Sequence, residues 1–315
     1  MYIVKFQGGL GNQMFQYAFM QLLKKRYPAE EVVADLSNYA LHNPHTGYQL
    51  KSIFGIDLPL IAAKQLENIT GMYVPEKHCA VLPALDRKIN KFIYRIKNKN
   101  KTPKNMIMQA YTTGYPVLDS SLLGDGDVYL NGTWMNENFG DILDDLRKIY
   151  TLPVLSCAYS EYLKEKIMQD NASNLTVSVH IRGGDYLGTE LQIIGVSYYR
   201  EAFERICEER DDAVFYLFAD DQELAQKYAD MFQKLGMRKQ QIVFVEDNPN
   251  KKDVDDLFLM SYCKYNIIAN STFSYWAALL NNNSGHKLFY PSLYAKEKEF
   301  WNMDWIPFEN IKIKV

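Results

Sequence analysis

The sequence predicts an α/β protein built on parallel sheets. Three observations carry that expectation. The chain opens on a strand, a glycine turn and a helix. Its second half alternates apolar strands with helices. Polar turns recur where those strands end. Such alternation implies parallel strands covered by helices on both faces, with ligands held beyond the carboxyl ends of the strands.

The elements follow in order. Tyr2–Phe6 reads as the first strand and Gly8–Asn12 as its turn. Met14, Phe15, Ala18, Leu22 and Leu23 fall at helical spacing. Glu31–Ala34 reads as the next strand, closing at Asp35. The stretch from about 40 to 125 is less regular. Val128–Trp134 reads as a strand, Phe139–Tyr150 as a helix and Thr151-Leu152-Pro153 as a linker. A chain of 315 residues suits about two domains, and the linker divides it into 1–152 and 153–315. Beyond it, strands are expected at Leu175–Ile181, Ala213–Ala219, Ile242–Glu246, Tyr265–Ala269 and Lys287–Tyr290, the last. Helices are expected at Ser197–Arg210, capped by Ser197, and at Gln222–Leu235, Val254–Ser261 and Thr272–Leu280.

Composition narrows the function. Hydrophobic residues make up 47% and charged residues 23%, which suits a folded globular chain. The formal net charge is −3, without the basic excess of a nucleic-acid binder. Cys79, Cys157, Cys207 and Cys263 are far apart and form no CxxC pair, against a zinc knuckle or a dense disulfide scaffold. The N-terminus shows no secretory signal and no run of 18 apolar residues occurs, so a cytoplasmic protein is expected.

One segment stands apart. Arg87, Lys88, Lys91, Arg95, Lys97, Lys99, Lys101 and Lys104 follow one another with no acidic residue between them. Ile89, Phe92, Ile93 and Ile96 fall at helical spacing among them. This basic amphipathic helix either lies on an anionic membrane surface or packs its apolar stripe on its own domain.

Four turns are candidates for chemistry. Gly8-Gly9-Leu10-Gly11-Asn12-Gln13 lets backbone amides approach an anion or a sugar, and the amides of Asn12 and Gln13 suit sugar hydroxyls. It is not the dinucleotide fingerprint, because Met14 stands where the third glycine belongs. His180-Ile181-Arg182-Gly183-Gly184-Asp185-Tyr186 sets an arginine at a sheet edge, where its fork grips phosphate oxygens; otherwise Arg182 and Asp185 pair to hold the turn. Asp220-Asp221 ends another strand, to bind a ligand or to cap a helix. Asn270-Ser271-Thr272-Phe273 opens a helix with hydroxyls and amides suited to phosphate, and upstream Asp255 or Asp256 caps a helix or receives a base N–H. Together the four turns point to an anionic, nucleotide-like ligand. No Walker A loop, HExxH or GxSxG is present.

GGLGNQMFQYA at 8–18, HIRGGDY at 180–186 and DLFLMSYCKYNIIANSTFSYWAALL at 256–280 occur in one order and at fitting separations. In these blocks the chain resembles the bacterial α-1,2-fucosyltransferases of glycosyltransferase family 11. The resemblance implies a GT-B type fold, two Rossmann-like α/β domains facing across a cleft, with the nucleotide half C-terminal and the last segment packing back on the first domain. It implies GDP-fucose as donor, inversion at the anomeric carbon, no cofactor and no required metal. It gives His180 and Arg182 a role at the nucleotide and diphosphate, Ser271, Thr272 and Phe273 the phosphate loop, and Asp256 the guanine; Asp220 joins this donor set. Gly11, Asn12 and Gln13 fall beside the transferred sugar and acceptor. Arg182 is the expected leaving-group stabiliser and Asp185 the candidate general base. The expected acceptor is a galactose-ended oligosaccharide or lipid-linked glycan, with membrane contact through 87–104. One departure stands out: Gly183 occupies the position of the family's second arginine.

Overall fold

The computed structural model describes residues 1–42, 47–75, 84–109, 118–124, 126–151, 154–186, 188–234, 241–246, 248–299 and 302–315. Two compact units divide between Ile149 and Tyr150.

The first unit contains β1 (Tyr2–Lys5), α1 (Leu10–Arg26), β2 (Val32–Asp35), α2 (Asn38–Leu41), α3 (Leu50–Phe54), α4 (Ala63–Thr70), α5 (Ala84–Lys97), β3 (Met106–Met108), β4 (Val128–Asn131) and α6 (Leu143–Ile149). Its four strands are parallel, in the order β2-β1-β4-β3. Ile3, Val4 and Phe6 are fully buried, and Phe19 of α1 stacks on Trp134 at 4.6 Å between ring centroids. Each such side chain removed from water contributes about 1.5–3 kcal/mol.

The second unit contains α7 (Ala158–Ser173), β5 (Leu175–Ile181), α8 (Val196–Glu209), β6 (Ala213–Ala219), α9 (Gln222–Lys234), β7 (Ile242–Phe244), α10 (Asp253–Tyr262), β8 (Tyr265–Ile267), α11 (Thr272–Leu279), β9 (Lys287–Pro291), β10 (Leu293–Ala295), β11 (Lys298–Glu299) and β12 (Glu309–Ile313). β10 and β11 pair as an antiparallel ribbon. The other six strands are parallel, in the order β12-β9-β8-β5-β6-β7. Numbered within this sheet, that is the 3-2-1-4-5-6 order of dinucleotide-binding folds, read from β7. The strand order therefore reverses between β5 and β8, and the crevice beyond their carboxyl ends is where such sheets bind ligands. Every residue of β5 is buried, which explains its continuous run of apolar and small residues.

Several boundaries differ from the sequence reading, each for a local reason. β4 stops at Asn131 rather than Trp134, because the amides of Thr133 and Trp134 donate to the Gln109 side chain, at 2.8 and 3.0 Å, and Trp134 takes a left-handed φ of 60°. The expected helix from Phe139 begins as a 3-10 turn, Gly140–Ile142, before α6. The N-cap of α8 is Gly195, and Ser197 sits inside the first turn. α7 was not foreseen: only Ser160, Leu163 and Ile167 are buried, too thin a stripe for periodicity to reveal. Lys287–Pro291 is not the last strand. Glu309–Ile313, not read as a strand, forms β12 beside β9 in the second sheet. The linker residues Leu152 and Pro153 lie outside the described residues.

A buried amide locks the two central strands of the second sheet. Asn266 of β8 donates to Ser178 Oγ of β5 at 2.5 Å and to the Met260 carbonyl of α10 at 2.8 Å. Its own Oδ1 accepts from Asn281 at 2.8 Å. Asn266→Leu keeps the volume but strands these partners, so it should lower unfolding free energy by about 2–3 kcal/mol. A urea titration checks this; an unchanged midpoint would contradict it.

Candidate active site

The carboxyl ends of β5 and β8 gather most of the expected donor residues. His180, the penultimate residue of β5, is buried, and its carbonyl accepts from the Tyr199 hydroxyl at 2.9 Å. Its ring lies 6.1 Å from that of Phe273. Nδ1 of His180 has no hydrogen-bond partner among the described residues. Burial, with the charge of Arg182 adding to it, pushes the imidazole down to about 3. His180 is thus neutral at working pH. It offers a ring face and a ring nitrogen, not a proton to exchange.

Arg182 follows directly. Its Nη1 pairs with Asp220 Oδ2 at 3.0 Å, and its guanidinium lies 5.2 Å from the centre of the Tyr186 ring. The other Asp220 oxygen accepts the Gly183 N–H at 2.9 Å. The carboxylate after β6 therefore holds both the side chain and the backbone of the turn after β5. Asp220 thereby positions Arg182. Asp185 lies in the 3-10 turn Gly184–Tyr186, and its side chain is outside the described residues. Asp221 caps α9 instead, accepting the Leu224 N–H at 3.0 Å.

Two glycines make this packing possible. A β-carbon on Gly184 would stand 2.6 Å from Asp220 Oδ2, inside the carboxylate that holds Arg182. At Gly183, the departure from the family pattern, a β-carbon would stand 2.7 Å from the methyl tip of Leu224. An arginine there needs Leu224 to move; the present pair leaves Leu224 in place.

The second wall is the start of α11. Ser271 caps it, its hydroxyl accepting the Phe273 N–H at 3.3 Å. Thr272 and Phe273 are half-buried in its first turn. Amides of a first helical turn favour negative charge. Tyr186 joins the two walls, its hydroxyl donating to the Asn270 carbonyl at 3.2 Å. Buried Asn270 in turn donates to the carbonyls of Leu191 and Tyr294, at 2.9 and 2.7 Å. Sequence reasoning did not single out Tyr186 as a bridge, although it stands in the same motif.

Asp255 and Asp256 have different partners. Asp255 is fully buried and accepts from the Ser156 amide at 3.1 Å and the Ser160 hydroxyl at 2.6 Å, tying α10 to the start of α7. Asp256 pairs with Lys251 at 2.9 Å. Burial raises its carboxyl to about 6, against the pull of Lys251. It lies on the first turn of α10, after β7, two strands from β5.

In the first unit, Gly8 takes a left-handed φ of 81°, and a β-carbon there would stand 2.3 Å from the Asn12 side-chain amide. Gln13 is fully buried. It donates to the carbonyls of Gly8 and Gly47, at 3.1 and 2.8 Å, and accepts the Gln49 N–H at 2.8 Å. Its amide braces the loop from within, a role unlike the sugar contact expected of it. Gly11 is buried and Asn12 half-buried at the start of α1. Gln16, which the sequence reading passed over, bridges the ends of β1 and β4, accepting the Gln7 N–H at 3.1 Å and donating to Gly132 O at 3.2 Å. The Asp35 carboxylate accepts the Tyr129 hydroxyl at 2.7 Å and the Ser37 N–H at 2.8 Å, so it serves the unit's own packing. Among the described residues, no group of three His, Cys, Asp or Glu side chains is placed to hold a metal ion.

The depressed His180 has a consequence for stability. Below about 6.5 the unfolded chain takes up a proton that the buried imidazole refuses until about 3. Stability therefore falls as pH drops through that window, by at most about 1.4 kcal/mol per unit. Melting temperatures of wild type and His180→Gln across this range check it. The variant should lose stability less steeply; equal slopes would contradict the assignment.

Comparison with known proteins bears on these turns. The chain is 29% identical to an alpha-1,2-colitosyltransferase of Escherichia coli, over 99% of this chain and 98% of that one. It is 26% identical to galactoside alpha-(1,2)-fucosyltransferase 1 of Lagothrix lagotricha, over 47% of this chain and 46% of that one. A solved structure of NodZ alpha-1,6-fucosyltransferase soaked with GDP-fucose aligns with a TM-score of 0.45 and 12% identity, covering 89% of this chain and 91% of that one. The model of glycosyl transferase family 11 matches residues 1–309, which takes in the loop after β1, the turn after β5 and the start of α11, and the chain belongs to that family of glycosyltransferases.

Proposed function

We propose that the protein transfers L-fucose from GDP-fucose to the 2-hydroxyl of a terminal galactose, with inversion and without a metal. The observation that carries this reading is the Arg182 guanidinium, fixed by Asp220 at the β5–β8 crevice beside the first turn of α11. Family membership supports glycosyl transfer, and relatives named for α-1,2 linkages support the bond formed.

The chemistry follows from charge. The galactose O2 forms a bond to the anomeric carbon while the bond from that carbon to the diphosphate oxygen breaks. GDP leaves with the electron pair, and the hydroxyl proton passes to a base. Asp185, in the turn after Arg182, is the residue assigned to accept it. Negative charge grows on the diphosphate as the sugar becomes cationic. Arg182 and the amides at Ser271–Phe273 meet that charge, with no reorganisation at the moment of reaction. His180 and Phe273 flank the nucleotide, and Asp256 accepts guanine N–H groups. The acceptor, a galactose-ended oligosaccharide or lipid-linked glycan, falls to the first unit, where Gly11 and Asn12 border it and Gln13 holds the loop.

A second reading of the donor rests on the colitosyltransferase relative, which matches nearly the whole chain. Colitose is fucose without its 3-hydroxyl, so the nucleotide machinery is common to both. Product analysis by mass and NMR linkage, with GDP-fucose and GDP-colitose offered to β-galactosides including lactose, separates the two. Acceptor-dependent GDP release with a new α-1,2-fucosyl linkage supports the main reading. Turnover of GDP-colitose alone replaces the donor.

Two variants test the roles. Arg182→Ala should lower kcat by on the order of 10²-fold or more, with wild-type activity unchanged by EDTA. A near-wild-type rate would remove Arg182 from the leaving-group role. Asp256 accepts hydrogen bonds only when ionised. GDP affinity should therefore weaken as pH falls below about 6, approaching tenfold per unit, and Asp256→Asn should bind GDP more weakly and without that slope. Calorimetry of GDP binding reads both; an unchanged pH profile in Asp256→Asn would contradict the assignment.

A further inference from the structure

α5 packs with its amphipathic sides reversed. Its polar side faces the first unit: Asn90 donates to the Ala40 carbonyl at 3.4 Å, and Arg87, Lys91 and Tyr94 are half-buried. Just past its end, Asn98 accepts the Tyr73 N–H at 2.7 Å and donates to the Tyr73 carbonyl at 3.0 Å. The opposite side is apolar and faces outward. Leu85, Ile89, Phe92 and Ile96 are 68%, 47%, 63% and 58% exposed, and no residue of the helix is buried. At about 100° per residue these four lie within an arc of about 60°, a stripe about 16 Å long. Other exposed large apolar side chains, such as Leu60, Met108, Leu122 and Val196, lie apart in the chain, whereas these four line one face of a single helix, and a contiguous apolar stripe of this kind marks a surface made to be covered.

The flanks say by what. Lys88 and Arg95 border the stripe on one side and are exposed, with Lys91 behind them. Lys97, Lys99, Lys101 and Lys104 continue the positive charge beyond, while Asp86 is the one acidic residue between 84 and 104. Lys91, Lys5 and Arg95 also add to the burial that holds the His42 imidazole below its ordinary range, a sign of the positive field on this flank. Long basic side chains beside a narrow apolar stripe let the apolar groups enter a lipid surface while the charges stay among anionic headgroups. Among the described residues no helix is long and apolar enough to cross a membrane.

We propose that α5 is a membrane-docking helix that lays Leu85, Ile89, Phe92 and Ile96 into the headgroup layer of an anionic lipid bilayer, held there by Lys88 and Arg95. The occupant is the bilayer surface itself, and the inference is independent of which sugar is transferred. A helix lying on the bilayer would keep the enzyme at the surface where a lipid-linked acceptor is presented.

Co-sedimentation of the full chain with vesicles tests it and needs no activity. Wild type should pellet with vesicles of phosphatidylethanolamine and phosphatidylglycerol and remain in solution with phosphatidylcholine alone. Phe92→Ser with Ile96→Ser should weaken partitioning by on the order of 10²-fold, and Lys88→Gln with Arg95→Gln by on the order of 10-fold. All these positions are exposed or half-buried, and matching melting curves confirm that the variants fold. Transfer to a soluble galactoside by the Phe92 and Ile96 variant should match wild type, so loss of docking and loss of function are read apart. Wild type that stays in solution with the anionic vesicles would overturn the proposal, as would equal pelleting of the variants. So would a wild-type dimer that the Phe92 and Ile96 substitutions turn to monomer without any vesicle binding, since a second copy would then be what covers the stripe.

Discussion

The pairing of Arg182 with Asp220 is the interaction on which the candidate donor site depends. A guanidinium left free at the end of a strand samples many rotamers and would have to be ordered in each encounter with a diphosphate. Asp220 removes that freedom by taking Nη1 on one oxygen and the Gly183 N–H on the other. The pair forms because β5 and β6 run parallel and in register up to Ile181 and Ala219, so their following turns lie side by side. It also needs Gly184 without a side chain. Each requirement is small, and together they leave the arginine one well-defined position.

From that pair the order propagates. Tyr186 stacks under the guanidinium and donates to Asn270, which is itself fixed to two further carbonyls. The first turn of α11 is thereby tied to the turn after β5. Below them, Asn266 joins β8 to β5, the two strands between which the sheet order reverses. The charged group and the start of α11 are thus tied together by hydrogen bonds within the second unit, with the neutral His180 ring beside Phe273. In the first unit the same logic works without charge: the side-chain amides of Gln13 and Gln16 hold the loop after β1 by bonding to backbone.

Much of this was legible in the sequence, for identifiable reasons. Strands such as β5 and β6 are buried on both faces, and their apolar runs show it. The turns that follow them are short, so motif position alone placed His180, Arg182 and Ser271. Partner choice was less visible. Asp220 was not read as a mate for Arg182, because only the register of two strands distant in sequence brings it alongside. Gln13 looked like a ligand-facing amide because burial cannot be read from a single polar residue in a glycine turn. α7 was hidden because its buried stripe is only three residues, one of them a serine, and β12 because only its last residue is buried. The basic helix was visible as amphipathic, but periodicity could not say which side faces the protein; the structure turns the polar side in.

The central claim is that one crevice, between the turns after β5 and β8, receives the donor diphosphate. A crystal structure of the protein with GDP tests it most directly. The diphosphate should lie within hydrogen-bond distance of the Arg182 guanidinium and of backbone amides at Ser271–Phe273, with Asp220 still paired to Arg182. A diphosphate bound elsewhere, with Arg182 and the start of α11 untouched, would contradict the account.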